Sequence, residues 1–133
     1  MAIYNKFLPS VEGLVENINS ATDIWKIILA TNLANTDITI TAEVANGNGY
    51  TTGGNAATTT SSAATAGAYK LVLANPSVWT ATGAGFTFRY AILYNSTTST
   101  PVGYWDYGSS QVVAVGETVT VALDPTNGVL AVS

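Results

Sequence analysis

Cysteine and histidine are both missing from this chain of 133 residues. Without cysteine there is no disulfide and no thiolate nucleophile, and the redox compartment stays open. Without histidine the chain lacks the commonest base at neutral pH and the usual zinc and copper ligands. A Ser-His-Asp triad cannot form within one chain. Charge is also scarce: 9% of residues are ionic, against ~25% in ordinary soluble domains. The only cations are Lys6, Lys26, Lys70 and Arg89. Nucleic-acid binding draws on clustered Lys and Arg to neutralise phosphates, so four scattered cations argue against it. An anionic membrane surface is disfavoured for the same reason. No run approaches the ~20 apolar residues of a membrane span. Met1 to Ser20 has neither a continuous apolar run nor a small-residue cleavage site. It reads as mature protein, and the product is expected to be made and folded in a cytoplasm.

What is present is ordinary in one respect. The apolar share is 47%, enough for a real core in a single domain of this length. Thr, Ser, Asn, Gly and Ala must therefore cover the surface in place of charge. Such an exterior has little like-charge repulsion to keep copies apart, which suits a protein packed against neighbours. The plainer alternative is an extracellular β domain with a Thr-rich coat.

Along the chain, Leu8, Val11, Leu14, Val15 and Ile18 recur at helical spacing, with Ser10 as an N-cap and Glu12 in the first turn. Residues 1–22 are thus expected to form a short helix or an arm, with Met1 to Phe7 reaching a neighbouring subunit. Residues 23–133 are expected to form an antiparallel β-sandwich or jelly roll of about eight strands. Ile24 to Thr31 and Phe86 to Asn95 carry apolar residues on both faces and predict covered strands, the second placing Phe86, Phe88, Tyr90, Ile92 and Tyr94 together. Ile38 to Val44 alternates as a strand with one wet face. Tyr69 to Leu73, Val78 to Thr82, Val102 to Tyr107, Gln111 to Val115, Thr118 to Leu123 and Val129 to Val132 complete the set. Turns are expected at Asn46 to Gly49, Gly83 to Gly85, Gly108 to Ser110 and Gly116-Glu117, and Pro125 to Gly128 has a hairpin signature. Thr51 to Gly67 fits a long loop or an added edge strand.

Any catalysis would rest on carboxylates or lysine. The acids are Glu12, Glu16, Asp23, Asp37, Glu43, Asp106, Glu117 and Asp124, and no spacing marks a calcium loop or a glycosidase pair. No cofactor or metal is implied, and no enzyme activity is expected. Gly47 to Gly54 is glycine-rich but lacks the lysine and following helix of a phosphate loop. Asp106 lies within Gly103-Tyr104-Trp105-Asp106-Tyr107-Gly108, where rings and an acid together would suit a sugar. Strand alternation would instead send Tyr104 and Asp106 to one face and Trp105 and Tyr107 to the other, the acid bonding to a turn. Trp25, Trp79 and Trp105 serve a core or an interface equally well, and one of the three is expected at an interface.

Met1 to Phe7, Gly49 to Asn55, Tyr69 to Leu73, Phe88 to Asn95 and Tyr104 to Gly108 together resemble a family of short structural proteins encoded by tailed bacteriophages and prophages. The resemblance spans nearly the whole chain and carries no catalytic residue. It implies a virion component on the capsid surface, and a decoration (cement) protein is the preferred role. Its partners would be the major capsid protein lattice and its own copies, a trimer being the first expectation. Candidate interface residues are Tyr4, Phe7, Tyr50, Trp79, Tyr104, Trp105 and Tyr107. A tail or fibre component, or a carbohydrate-binding module, are the alternatives.

Overall fold

The computed structural model describes residues 3–8, 19 and 21–132. Those residues are all β, in ten strands whose pairings are all antiparallel. The strands are β1 (Ile3–Lys6), β2 (Trp25–Ala30), β3 (Asn55–Ala56), β4 (Thr59–Thr65), β5 (Ala68–Leu73), β6 (Trp79–Thr80), β7 (Phe86–Asn95), β8 (Thr100–Val113), β9 (Thr118–Val119) and β10 (Leu130–Val132). They form a five-stranded sheet β1-β8-β7-β2-β3, a three-stranded sheet β10-β5-β4 and a β6-β9 pair. The architecture is a β-sandwich. Beyond Leu8, the helix expected over residues 8–18 lies outside the described residues, but Ile3–Lys6 is no free arm: it pairs with β8 of its own chain.

The central strands β2 and β7 of the five-stranded sheet are buried on both faces, as their doubly apolar patterns require. On β2, Trp25, Ile27 and Leu29 face the main core, while Ile28 and Ala30 face a second cluster. The main core also takes Leu71 and Leu73 from β5, Trp79 from β6 and Val119 from β9. The second cluster holds Phe7, Tyr90 and Ile92, with Leu33, Ile40, Tyr94 and Tyr104 packed beside them. Burying an Ile or Leu side chain contributes roughly 1.5–3 kcal/mol, so β2 and β7 anchor the fold.

Strict alternation on β7 fails at one place. Phe86 and Phe88 lie in the main core, but so do Ala91 and Leu93, while Tyr90 and Ile92 lie in the second cluster. The register slips between Phe88 and Tyr90: Phe88 faces Gln111 and Tyr90 faces Asp106. Arg89 alone thus opposes Tyr107 to Ser110, a large bulge that flips the faces of β7. The same bulge replaces the turn expected at Gly108 to Ser110. Gly108 takes the positive φ (+84°), yet the chain continues as one strand from Thr100 to Val113.

Two further expectations are corrected. Ile38 to Val44 is not a strand: it contributes one bridge, Ala30 to Glu43, and Ile38 is 69% exposed. Pro125 to Gly128 does turn, with Asp124 accepting N–H bonds from Thr126 and Asn127 at 2.8 Å each. The flanking segments do not pair with each other, because β9 pairs with β6 and β10 with β5. Thr51 to Gly67 supplies β3 and β4, the edge-strand alternative.

Candidate functional site

Where β1 meets β8, an aromatic strip forms around a glycine. Tyr4 pairs with Trp105 and Lys6 with Gly103, so the Tyr4 ring leans diagonally over Gly103. Any Cβ at Gly103 would collide with that ring. Here a glycine inside a strand makes room for an aromatic neighbour. The Tyr4 and Trp105 rings are 5.0 Å apart and tilted. Burial pushes the Tyr4 hydroxyl above the ordinary tyrosine range, and that hydroxyl is enclosed without a hydrogen-bond partner. Tyr4 and Trp105 wall a cavity of about 430 Å3 closed on the other side by Leu123, Asp124, Pro125 and Val129.

Alternation divides the aromatic segment of β8. Tyr104 turns to the second cluster, 5.0 Å from the Phe7 ring and 6.1 Å from Tyr90. Trp105 and Tyr107 border the main core, Tyr107 lying edge-on to Phe88 at 5.3 Å. Asp106 accepts two bonds from Arg89, at 2.8 and 3.0 Å, and one from the Gly108 N–H at 2.8 Å. These bonds, that from Arg89 foremost, hold its carboxyl below the usual range. The guanidinium also rests 5.1 Å from the Tyr90 ring centre, a cation–π contact. The acid is therefore committed to Arg89 and does not converge with Trp105 on one sugar face.

Of the seven residues expected at an interface, three are interior. Phe7, Tyr50 and Trp79 are each at most 2% exposed. Large aromatics fill cores as readily as interfaces, and their own chain has claimed these. Tyr50 does structural work: its hydroxyl donates to Glu43 Oε1 at 2.7 Å and accepts the Leu29 N–H at 3.2 Å. The Gly53 N–H donates to the same Glu43 oxygen. The glycine-rich segment is thereby tied down against β2. Tyr4, Tyr104, Trp105 and Tyr107 stay half-buried. Trp25 and Trp79 are core residues, and Trp105 alone of the three tryptophans keeps exposed surface.

The residues that sequence reasoning passed over lie on the other sheet. The β4–β5 hairpin turns at Ala66-Gly67, both with positive φ (+52° and +82°). β4 reads Thr59-Thr60-Ser61-Ser62-Ala63-Ala64-Thr65, exposed throughout except for Ser62. Ser62 shares a 2.8 Å hydrogen bond with the Tyr69 hydroxyl. The signal was the absence of any charge from Val44 to Tyr69.

No cluster of acids that could hold a metal ion occurs among the described residues. None of those residues forms a helix long and apolar enough to cross a membrane. The described residues form an all-β sandwich, and charged side chains are few, at 9% of the sequence. No family model matches the chain, and no match to it was found among curated proteins or solved structures.

Proposed function

We propose that this chain is a virion structural protein that decorates the capsid of a tailed bacteriophage and reinforces the joints between capsomers. The single observation that carries the reading is the charge-poor exterior. Four cations and eight acids serve the whole chain, and Arg89 and Asp106 are spent on each other. Exposed apolar side chains stand among the Thr and Ser residues instead: Ile3, Ile24, Val78, Val112, Val115 and Val132. A surface of this kind suits permanent contact with neighbours better than life as a dispersed monomer. The sequence resemblance to short phage structural proteins points the same way.

The mechanism is multivalent burial. Each copy makes modest contacts with several shell subunits, and linked contacts bind far more tightly than any one alone. A charge-poor surface makes that attachment only weakly sensitive to salt, because little of it comes from screened charge. Copy number in purified virions tests the assignment. A number on the scale of the capsid lattice supports decoration; a number on the scale of a tail or fibre moves the protein there.

A further inference from the structure

The edges of these sheets are unequally protected. An exposed strand edge offers unpaired N–H and C=O groups to any other chain, and proteins blunt such edges by keeping them short or charged. β1 is four residues with Lys6 at its end, β3, β6 and β9 are two residues each, and β10 is three. Among the described strands that end a sheet, β4 is the exception: seven residues, one edge paired with β5, no Lys, Glu, Asp, Arg or Pro. Its register is also legible. The two-residue turn makes Thr65–Ala68 the closing pair, with Ala63–Lys70 and Ser61–Val72 following along the hairpin. Hydrogen-bonded pairs alternate along antiparallel strands. Ser61, Ala63 and Thr65 therefore bond inward to β5, and Ser62 and Ala64 turn their N–H and C=O outward.

We propose that the β4 edge is a homotypic seam, occupied by β4 of a second copy in antiparallel register about a two-fold axis at Ala63. Ser62 of each copy then faces Ala64 of the other and exchanges backbone hydrogen bonds with it. Ser61 faces Thr65, and the two Ala63 residues face each other. The resulting sheet runs continuously through six strands. A second copy is the fitting occupant for two reasons. An isologous contact needs a self-complementary surface, and this register matches small residues with small residues on both sides of the axis. The strand also carries no charge by which a foreign partner would be selected, and none to repel its own copy. The area is small beside the ~800 Å2 per partner of a stable interface, so the seam is weak in free solution and gains strength when copies are held side by side. In that respect it rests on the decoration reading. The two-fold contact is compatible with a three-fold closure through another surface.

The chain has no cysteine, so one introduced thiol reports the seam. In an antiparallel pair the two residues at a non-bonded position lie ~4.5 Å apart at Cα, within disulfide reach. Ala63→Cys should give a covalent dimer in near-quantitative yield on mild oxidation, while Val115→Cys, on a remote exposed turn, should not. Ala63→Lys should raise the dimer dissociation constant about tenfold or more, since like charges would then face each other across the axis. Amide exchange at Ser62 and Ala64 should be slowed in concentrated wild-type protein and fast in Ala63→Lys. A wild type that fails to associate at high concentration, or Ala63→Cys that crosslinks no better than Val115→Cys, overturns the seam. Capsid binding by the same proteins separates the two proposals: a wild type that binds capsids but never pairs through β4 sinks only the seam, and one that pairs but binds no particle sinks only the decoration role.

Discussion

Arg89 and Asp106 meet across the bulge that reverses the faces of β7, joined by bonds of 2.8 Å from Nε and 3.0 Å from Nη2. The bulge puts Arg89 and Tyr90 on the same side, so the guanidinium reaches the acid and the ring together. The pair lies where the two longest strands change register, the point at which the aromatics of β7 exchange clusters.

Its pH dependence has a definite sign. The carboxyl of Asp106 titrates below its ordinary value because Arg89 and then the Gly108 N–H bind the ionised form. A depressed carboxyl pKa contributes stability that is complete above the unfolded value, ~3.9, and is lost as pH falls through the folded value. Asp106→Asn should therefore be less stable than wild type at pH 7, and the gap should close as the pH drops below about 4. Urea unfolding at a series of pH values measures it. A gap unchanged in acid contradicts this assignment.

Gly103 is required by Tyr4. Gly103→Val should force the ring out and loosen β1 at a cost of about 1–3 kcal/mol, the usual penalty of overpacking. Tyr4→Ala should also destabilise, and the double variant should be much less damaged than the sum of the two, because the clash is shared. A double-mutant cycle by denaturant unfolding gives the coupling, and simple additivity would refute the contact.

Tyr50→Phe keeps the ring, which stacks 6.5 Å from Trp79, but removes the hydroxyl between Glu43 and Leu29. The Leu29 N–H is then left buried without its acceptor, at a cost of about 1–3 kcal/mol. Amide exchange at Leu29 and Gly53 should speed up well before global unfolding.

Ala66 sits at φ +52° in the β4–β5 turn, a conformation that disfavours a Cβ. Such turns favour Asn-Gly. Ala66→Asn creates that pair with Gly67 and should raise stability by about 0.5–1 kcal/mol. A lower thermal midpoint would argue against this turn geometry.

The strands most legible from the residues were those whose patterns are local and unbroken. β2, β5 and β7 emerge from their apolar runs, with the Phe86 to Asn95 limits of β7 recovered in full. The alternation across Tyr104 to Tyr107 also placed the acid opposite the tryptophan. What failed was pairing at a distance. Gly108-Ser109-Ser110 has turn chemistry, but a bulge also uses a left-handed glycine, and only the partner strand decides between them. Pro125 to Gly128 does form its turn, yet which strands lie on either side is set by β5 and β6, far away in sequence. Ile38 to Val44 alternates like a strand, but with Ile38 in water and Val44 in the core it has no partner beyond one bridge at Glu43. For the candidate surfaces, composition pointed to a charge-poor exterior, while burial alone separated Tyr50 and Trp79 from Trp105.

The most direct test of the account is co-sedimentation of the purified protein with expanded capsids that lack it, across a salt series. Saturable binding is expected at a stoichiometry set by the capsid lattice, changing little from low to high ionic strength. Failure to bind, or binding that collapses at moderate salt, would contradict it.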